Sequence, residues 1–147
     1  MADHKKRFDI IIQKLRDNGH KITPQRLAIV KILAKSDGHP SVENIHAEIK
    51  KDFPTMSLAT VYRNILLIKS YGEVLELGFP DGSNRYDGNR PFSHPHVICI
   101  QCKKIVDADL DSLEGMKKEV SLETRFKILN HRLDFFGICS DCMAEKA

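Results

Sequence analysis

Apolar positions in the first half of the chain recur at helical spacing in four separate runs. Phe8, Ile11, Ile12 and Leu15 form the first stripe, which stops at Asn18-Gly19, where the glycine marks a helix end. Thr23 and Pro24 occupy the N-cap and first-turn positions of a second helix that carries Leu27, Ile29, Val30, Ile32 and Leu33. A third run opens at Ser41 and continues through Val42, Ile45 and Ile49. It ends at Phe53-Pro54, because proline lacks the backbone donor that a further turn needs. The fourth is predicted to begin after a Ser57 cap and to bury Leu58, Val61, Ile65 and Ile68 on one stripe as far as Tyr71-Gly72. Strand-like runs over 73–79 and 83–86 then flank Pro80-Asp81-Gly82, which reads as a hairpin turn with glycine in the strained position.

If the fourth helix buries that stripe, Thr60, Tyr62 and Arg63 lie at its N-terminal end on the solvent side. Short helices followed by a hairpin describe a winged helix-turn-helix, whose last helix enters the major groove while the wing touches the backbone. Small helix-plus-hairpin domains also mediate protein contacts, so the pattern alone leaves both readings open. Beyond residue 88 the period changes. Strand patterns occupy 96–102, 104–110 and 127–137, with one helical run around Leu113, Met116 and Val120. The expected architecture is therefore α+β. A winged-helix domain over 1–88 and a hinge near 88–91 precede a small α/β domain over 92–147 with a three-stranded sheet.

Length adds a constraint, since 147 residues divided into two lobes leaves each with a modest core. With 41% hydrophobic and 29% charged residues and no low-complexity tract, the composition is that of a folded chain. No apolar run is long enough to span a bilayer, and the charged first eight residues are not followed by an apolar signal core. A cytoplasmic chain is expected, and there cysteines serve more often as metal ligands or redox thiols than as disulfides. The net charge of +3 lies entirely before residue 89, where 14 Lys and Arg face 11 Asp and Glu; the remainder balances at 9 and 9. Nine basic against three acidic residues in the first 35 suit a segment facing phosphates, although a solvated helix face would carry the same bias.

The strongest motif is Cys99-x-x-Cys102 with Cys139-x-x-Cys142. Two such knuckles supply the four thiolates of a tetrahedral structural zinc site, which would tie the first and last strands of a lobe too small to be secure alone. Redox dithiols and a rubredoxin-like iron centre share the spacing. Beside it, His94-Pro95-His96 puts two imidazoles on one strand face with Cys99 on the other. A tight turn near Cys102-Lys103 would bring Asp107 diagonally across from His96, together with Asp109. Imidazoles and a carboxylate without sulfur suit a divalent metal such as iron or manganese, while surface histidines on an edge strand are the plain alternative.

Taken together, Thr23-Pro24-Gln25-Arg26, Ser57-Leu58-Ala59-Thr60-Val61-Tyr62-Arg63, Arg85-Tyr86-Asp87 and His94-x-His96-x-x-Cys99-x-x-Cys102 resemble the ferric uptake regulator superfamily, in order and over about nine-tenths of the chain. The resemblance implies a winged-helix domain followed by a dimerisation domain. It also implies a homodimeric repressor on palindromic double-stranded operator DNA, controlled by a regulatory metal (Fe2+ or Mn2+) beside structural Zn2+. Carried over by motif, the regulatory ligands are His39, Asp87, His94, His96 and Asp107. Aspartate at 87 and 107 is similar to the peroxide-sensing branch, in which bound iron leads to oxidation of ligand histidines, here His39 and His94. The alternative is an uptake regulator that senses metal availability, although such members usually carry glutamate at both positions. Ser93 and Pro95 depart from the uptake pattern, where a histidine and an acid help to build a further site, and this puts a ligand role for His131 in doubt. An exposed strand histidine is the expectation there.

For DNA contact the expected residues are Tyr62 and Arg63, flanked by Thr60 and Asn64, with Lys14, Arg16 and Arg26 as phosphate partners; Tyr62 could instead pack under the wing. His4, His20 and His46 are expected to be solvated. Catalytic turnover is not expected, because the His and Asp groups are accounted for as ligands. An electron carrier would require iron on the four cysteines.

Overall fold

The computed structural model describes residues 3–36 and 38–145, and the chain divides into two compact units, one up to Phe92 and one from Ser93 onward. In the first unit, helices α1 (His4–Asp17), α2 (Pro24–Lys35), α3 (Val42–Ile49) and α4 (Leu58–Ser70) precede strands β1 (Leu75–Leu77) and β2 (Arg85–Asp87). Each helix starts where a polar side chain can accept from an otherwise orphaned amide. Asp3, Thr23, Ser41 and Ser57 are the N-caps, and Ser41 forms a reciprocal capping box with Asn44. The apolar stripes meet in one core that includes Ile11, Leu15, Ile29, Val30, Leu33, Ile45, Val61, Ile65, Ile68 and Tyr86. Full burial of such a side chain contributes about 1.5–3 kcal/mol. Leu58 departs from expectation: at 40% exposure it lies outside the core, because the first residue of α4 runs past the core's edge, and the buried stripe begins at Val61.

β1 and β2 pair antiparallel, Leu75 opposite Asp87 and Leu77 opposite Arg85. The connecting turn contains Gly82 at φ +79°, a conformation that favours glycine. A bridge between Ser41 and Arg85 and a bond from the Tyr86 amide to the Pro40 carbonyl (2.9 Å) attach the α2–α3 loop to β2. After β2 the chain stays bonded to this unit. The Gly88 amide donates to Ser36 Oγ (2.7 Å), and its carbonyl accepts from Arg7 Nε (2.8 Å). The Asn89 side chain donates to the Ala34 carbonyl (2.9 Å), and the Asn89 and Arg90 amides both donate to Asp87 Oδ1 (2.9 Å each).

The second unit contains β3 (His96–Cys99), β4 (Ile105–Asp107), α5 (Leu113–Thr124), β5 (Asp134–Gly137) and α6 (Ser140–Ala144). Its sheet has the order β4-β3-β5, with β3 antiparallel to β4 and parallel to β5. The last strand is much shorter than the 127–137 pattern suggested, and α6 was not expected. Buried apolar groups are few: Ile98, Ile105, Cys99 and Cys142. By contrast Leu122, Phe126, Leu129 and Phe136 are 64–83% exposed, and no residue of α5 is buried. Among the described residues no helix is long and apolar enough to cross a membrane.

Candidate metal centres and nucleic-acid surface

The four cysteines converge within the second unit. Cys99 ends β3, Cys102 sits in the following turn, Cys139 is the N-cap of α6 and Cys142 lies within that helix. Cys99 Sγ is 3.8 Å from Cys142 Sγ, and Cys102 Sγ is 3.7 Å from Cys139 Sγ. All four sulfurs lie within 4.8 Å of one another. A tetrahedral ion with sulfur at about 2.3 Å sets neighbouring sulfurs about 3.8 Å apart, so the cage fits zinc, whereas a disulfide would need about 2.05 Å. Backbone amides favour the thiolate in advance of any ion. Those of Cys102 and Cys139, followed by Gln101, hold the Cys99 thiol well below its ordinary value. Cys142 moves the opposite way, pushed up by its hydrogen bond to the Cys139 sulfur and then by burial.

Two further donor groups form, one in each unit. In the first, His39 Nε2 lies 3.3 Å from Asp87 Oδ2, with both residues buried. In the second, the His94 and His96 rings are 4.3 Å apart, and their Nε2 atoms approach the same oxygen, Asp107 Oδ1, at 3.1 and 3.6 Å. A divalent ion with N and O ligands at about 2.0–2.2 Å separates neighbouring donors by about 3.0–3.5 Å, so both groups have metal-ligand spacing. Asp107 stands directly opposite His96 rather than diagonally, because β3 and β4 pair in that register. Asp109 lies exposed beyond the end of β4.

Sequence reasoning missed one neighbour of this set. Asp134 pairs with His96 from the other edge of β3, and its Oδ1 is 3.8 Å from His96 Nδ1. The parallel β3–β5 pairing creates that juxtaposition, and no local spacing reveals it. His131 is not an exposed strand residue. It precedes β5, its ring nitrogens are buried without a hydrogen-bond partner, and burial followed by the Lys117 charge lowers its pKa. His20 and His46 are not simply solvated either. The His20 ring meets the Tyr71 hydroxyl at 2.6 Å, and that of His46 meets the Met56 carbonyl at 2.8 Å. His4 opens α1, with its ring 2.9 Å from the Asn89 side-chain amide.

The profile described as the Ferric uptake regulator family matches residues 17–136. The chain belongs to that family. Over 131 residues it is 42% identical to the peroxide-responsive repressor PerR of Staphylococcus saprophyticus, spanning 89% of this chain and 88% of that one. PerR of Staphylococcus aureus is 40% identical over the same coverage. Among solved structures, the ferric uptake regulator of Helicobacter pylori, described as having three functional metal binding sites, superposes with a TM-score of 0.81 at 25% identity. That match covers 96% of this chain and 94% of that one. The Campylobacter jejuni peroxide stress regulator gives 0.70 at 30% identity, with 89% and 98% covered.

On the first unit of this ferric uptake regulator family member, Tyr62 and Arg63 are exposed on α4, as are Lys14 and Arg16 in the last turn of α1. Arg63 donates to Thr60 Oγ1 at 3.2 Å. Arg26 and Asn64 are half-buried and tied together: Arg26 Nε donates to Asn64 Oδ1 (2.9 Å), Arg26 Nη1 to the Lys21 carbonyl (2.6 Å), and Asn64 Nδ2 to the Thr60 carbonyl (2.9 Å). An open groove with Lys21, Thr23, Arg26, Ser57 and Thr60 along its walls runs between the capped N-termini of α2 and α4. Two helix N-termini and basic side chains on one groove favour a phosphate.

Proposed function

We propose that the protein is a metal-dependent transcriptional repressor that acts as a homodimer on palindromic operator DNA and senses hydrogen peroxide through its own histidine ligands. The observation that carries this reading is the donor chemistry. Imidazoles and aspartates at metal-ligand spacing, buried His39 with buried Asp87 and buried His94 and His96 with half-buried Asp107, offer donors of a different chemistry from the four cysteines that suit zinc. In this reading the five N and O donors hold one regulatory ion, and zinc on Cys99, Cys102, Cys139 and Cys142 secures the second unit. Identity of about 40% over most of the chain to repressors named for peroxide response supports the peroxide branch.

His39 and Asp87 belong to the first unit, and the other three ligands to the second. Ligation by all five therefore restrains the freedom of the chain beyond Arg90, where we place the hinge. That restraint sets the separation of two α4 helices in a dimer, which must match one turn of DNA, roughly 34 Å. Tyr62 and Arg63, with Thr60 nearby, face the bases. Lys14 and Arg16 face phosphates, and Arg26 and Asn64 act at the groove they line. The exposed Leu122, Phe126, Leu129 and Phe136 supply apolar surface for a second copy to cover.

A ferrous ion held by these residues would supply the redox chemistry that cleaves peroxide beside a ligand ring. The imidazole of His39 or His94 would be the net two-electron reductant, its ring C–H becoming a C–OH (2-oxo) carbon with one peroxide oxygen while the other leaves as water. An oxidised ring is a poorer donor, so the restraint between units is lost and DNA is released. The histidine is consumed rather than regenerated, which makes this sensing and not turnover.

The test is operator binding by zinc-replete protein loaded anaerobically with Fe2+ or Mn2+, before and after a small dose of peroxide, with peptide mass analysis. Loss of binding in the iron form alone, with one oxygen added at His39 or His94, is expected. If both forms keep binding unmodified, the protein senses metal availability instead.

A further inference from the structure

The loop that carries His39 adopts a backbone conformation its sequence disfavours. Ser36, Gly38 and His39 have φ values of +48°, +70° and +53°. At His39 the left-handed region is opposed twice, by its own β-carbon and by Pro40, which drives the residue before it toward extended conformations. Left alone, this residue would extend and carry its imidazole away from Asp87.

Strand β2 supplies what opposes that tendency. Arg85 Nη2 donates to the Gly38 carbonyl at 2.7 Å, and Arg85 Nε donates to the His39 carbonyl. A left-handed residue turns its own carbonyl to the same side as the carbonyl before it, whereas an extended residue turns them apart. A single guanidinium that bridges the two oxygens therefore favours the left-handed conformation over the extended one. Two residues along the strand, and so on the same face as Arg85, Asp87 meets the His39 ring at 3.3 Å. One strand face grips the backbone of His39 and receives its side chain.

We propose that Arg85 is a positioning residue for the regulatory metal, holding His39 left-handed through the paired carbonyls of the 38–39 loop and thereby aiming its imidazole at the ion. This rests on the reading of His39 and Asp87 as ligands. Arg85 touches no ion; it acts through His39. Lysine cannot replace it, because one ammonium lacks the planar pair of donors that spans two carbonyls.

The experiment compares full-length, zinc-replete wild-type protein with Arg85→Met, Arg85→Lys and His39→Ala. Mn2+ affinity is measured from free Mn2+ by electron paramagnetic resonance, with zinc content and metal-free melting temperature recorded alongside. Arg85→Met is expected to weaken Mn2+ binding by about tenfold or more, the usual cost of removing a group that orients a ligand. Arg85→Lys should weaken it too, and this milder variant carries the test if Arg85→Met does not fold. A second readout separates positioning from general damage: after iron loading and peroxide, oxygen addition should shift away from His39 toward His94. An unchanged Mn2+ affinity in both Arg85 variants, alongside weakened binding in His39→Ala, overturns the positioning role alone. So does an unchanged ratio of His39 to His94 oxidation. If His39→Ala itself binds Mn2+ as wild type does, the ligand reading fails and this inference with it.

Discussion

A β-carbon at Gly88 would lie 2.6 Å from the backbone carbonyl oxygen of Leu33. The obstacle is main chain of α2, which cannot turn aside as a flexible side chain would. The close approach lets the Gly88 amide reach Ser36 Oγ and delivers Asp87, its neighbour, to the His39 ring. Gly88→Ala is expected to destabilise the first unit by about 1–3 kcal/mol through overpacking. For a domain of this size that lowers Tm by roughly 5 °C or more. A calorimetric scan of the zinc-replete protein checks it, and an unchanged Tm would mean that β2 and α2 are not held this closely in solution.

Arg63 is exposed on α4, where it donates to Thr60 Oγ1, so its removal should leave folding intact. Arg63→Ala is expected to weaken operator binding at fixed salt by about 1–3 kcal/mol if the guanidinium reads a base edge. Dimer mass and zinc content should not change. Unaltered affinity in a fluorescence anisotropy titration would remove Arg63 from the reading face.

The sparse core of the second unit makes its zinc cage important for folding. Prolonged exposure to a strong chelator is expected to remove one zinc per chain and, with it, the ordered β4-β3-β5 sheet and the dimer, because binding free energy at such a site is folding free energy. Circular dichroism with sedimentation velocity reads this directly. Retention of a folded dimer after complete zinc loss would show that the exposed apolar face holds the unit together without the ion.

Asp107 Oδ1 approaches both His94 and His96, so one added methylene at this position displaces the carboxylate relative to both rings. Asp107→Glu is expected to retain Mn2+-dependent DNA binding while losing much of its sensitivity to peroxide in the iron form. Equal peroxide dose-response curves for wild type and variant would detach peroxide sensing from the aspartate at 107.

Much of this architecture is local in origin and was legible before the fold. The stripes Ile11/Ile12/Leu15 and Val61/Ile65/Ile68, the Thr23-Pro24 start and the Ser41 and Ser57 caps depend on periods and end effects within a few residues. The paired cysteines are as readable, because the knuckle is a short-range device. Where the chain had to be bent against its preference, or where partners came from distant segments, sequence was silent. His39 was recognisable as a donor by motif, yet its left-handed backbone runs against both its β-carbon and Pro40. The carbonyl bridge from Arg85, 46 residues away, opposes that preference. Gly88 falls in the hinge expected near 88–91, while its necessity comes from contact with Leu33, and Asp134 reaches His96 because β5 runs parallel to β3. Local free-energy preferences are written in neighbouring residues, but steric exclusion and long-range pairing exist only after the chain has folded.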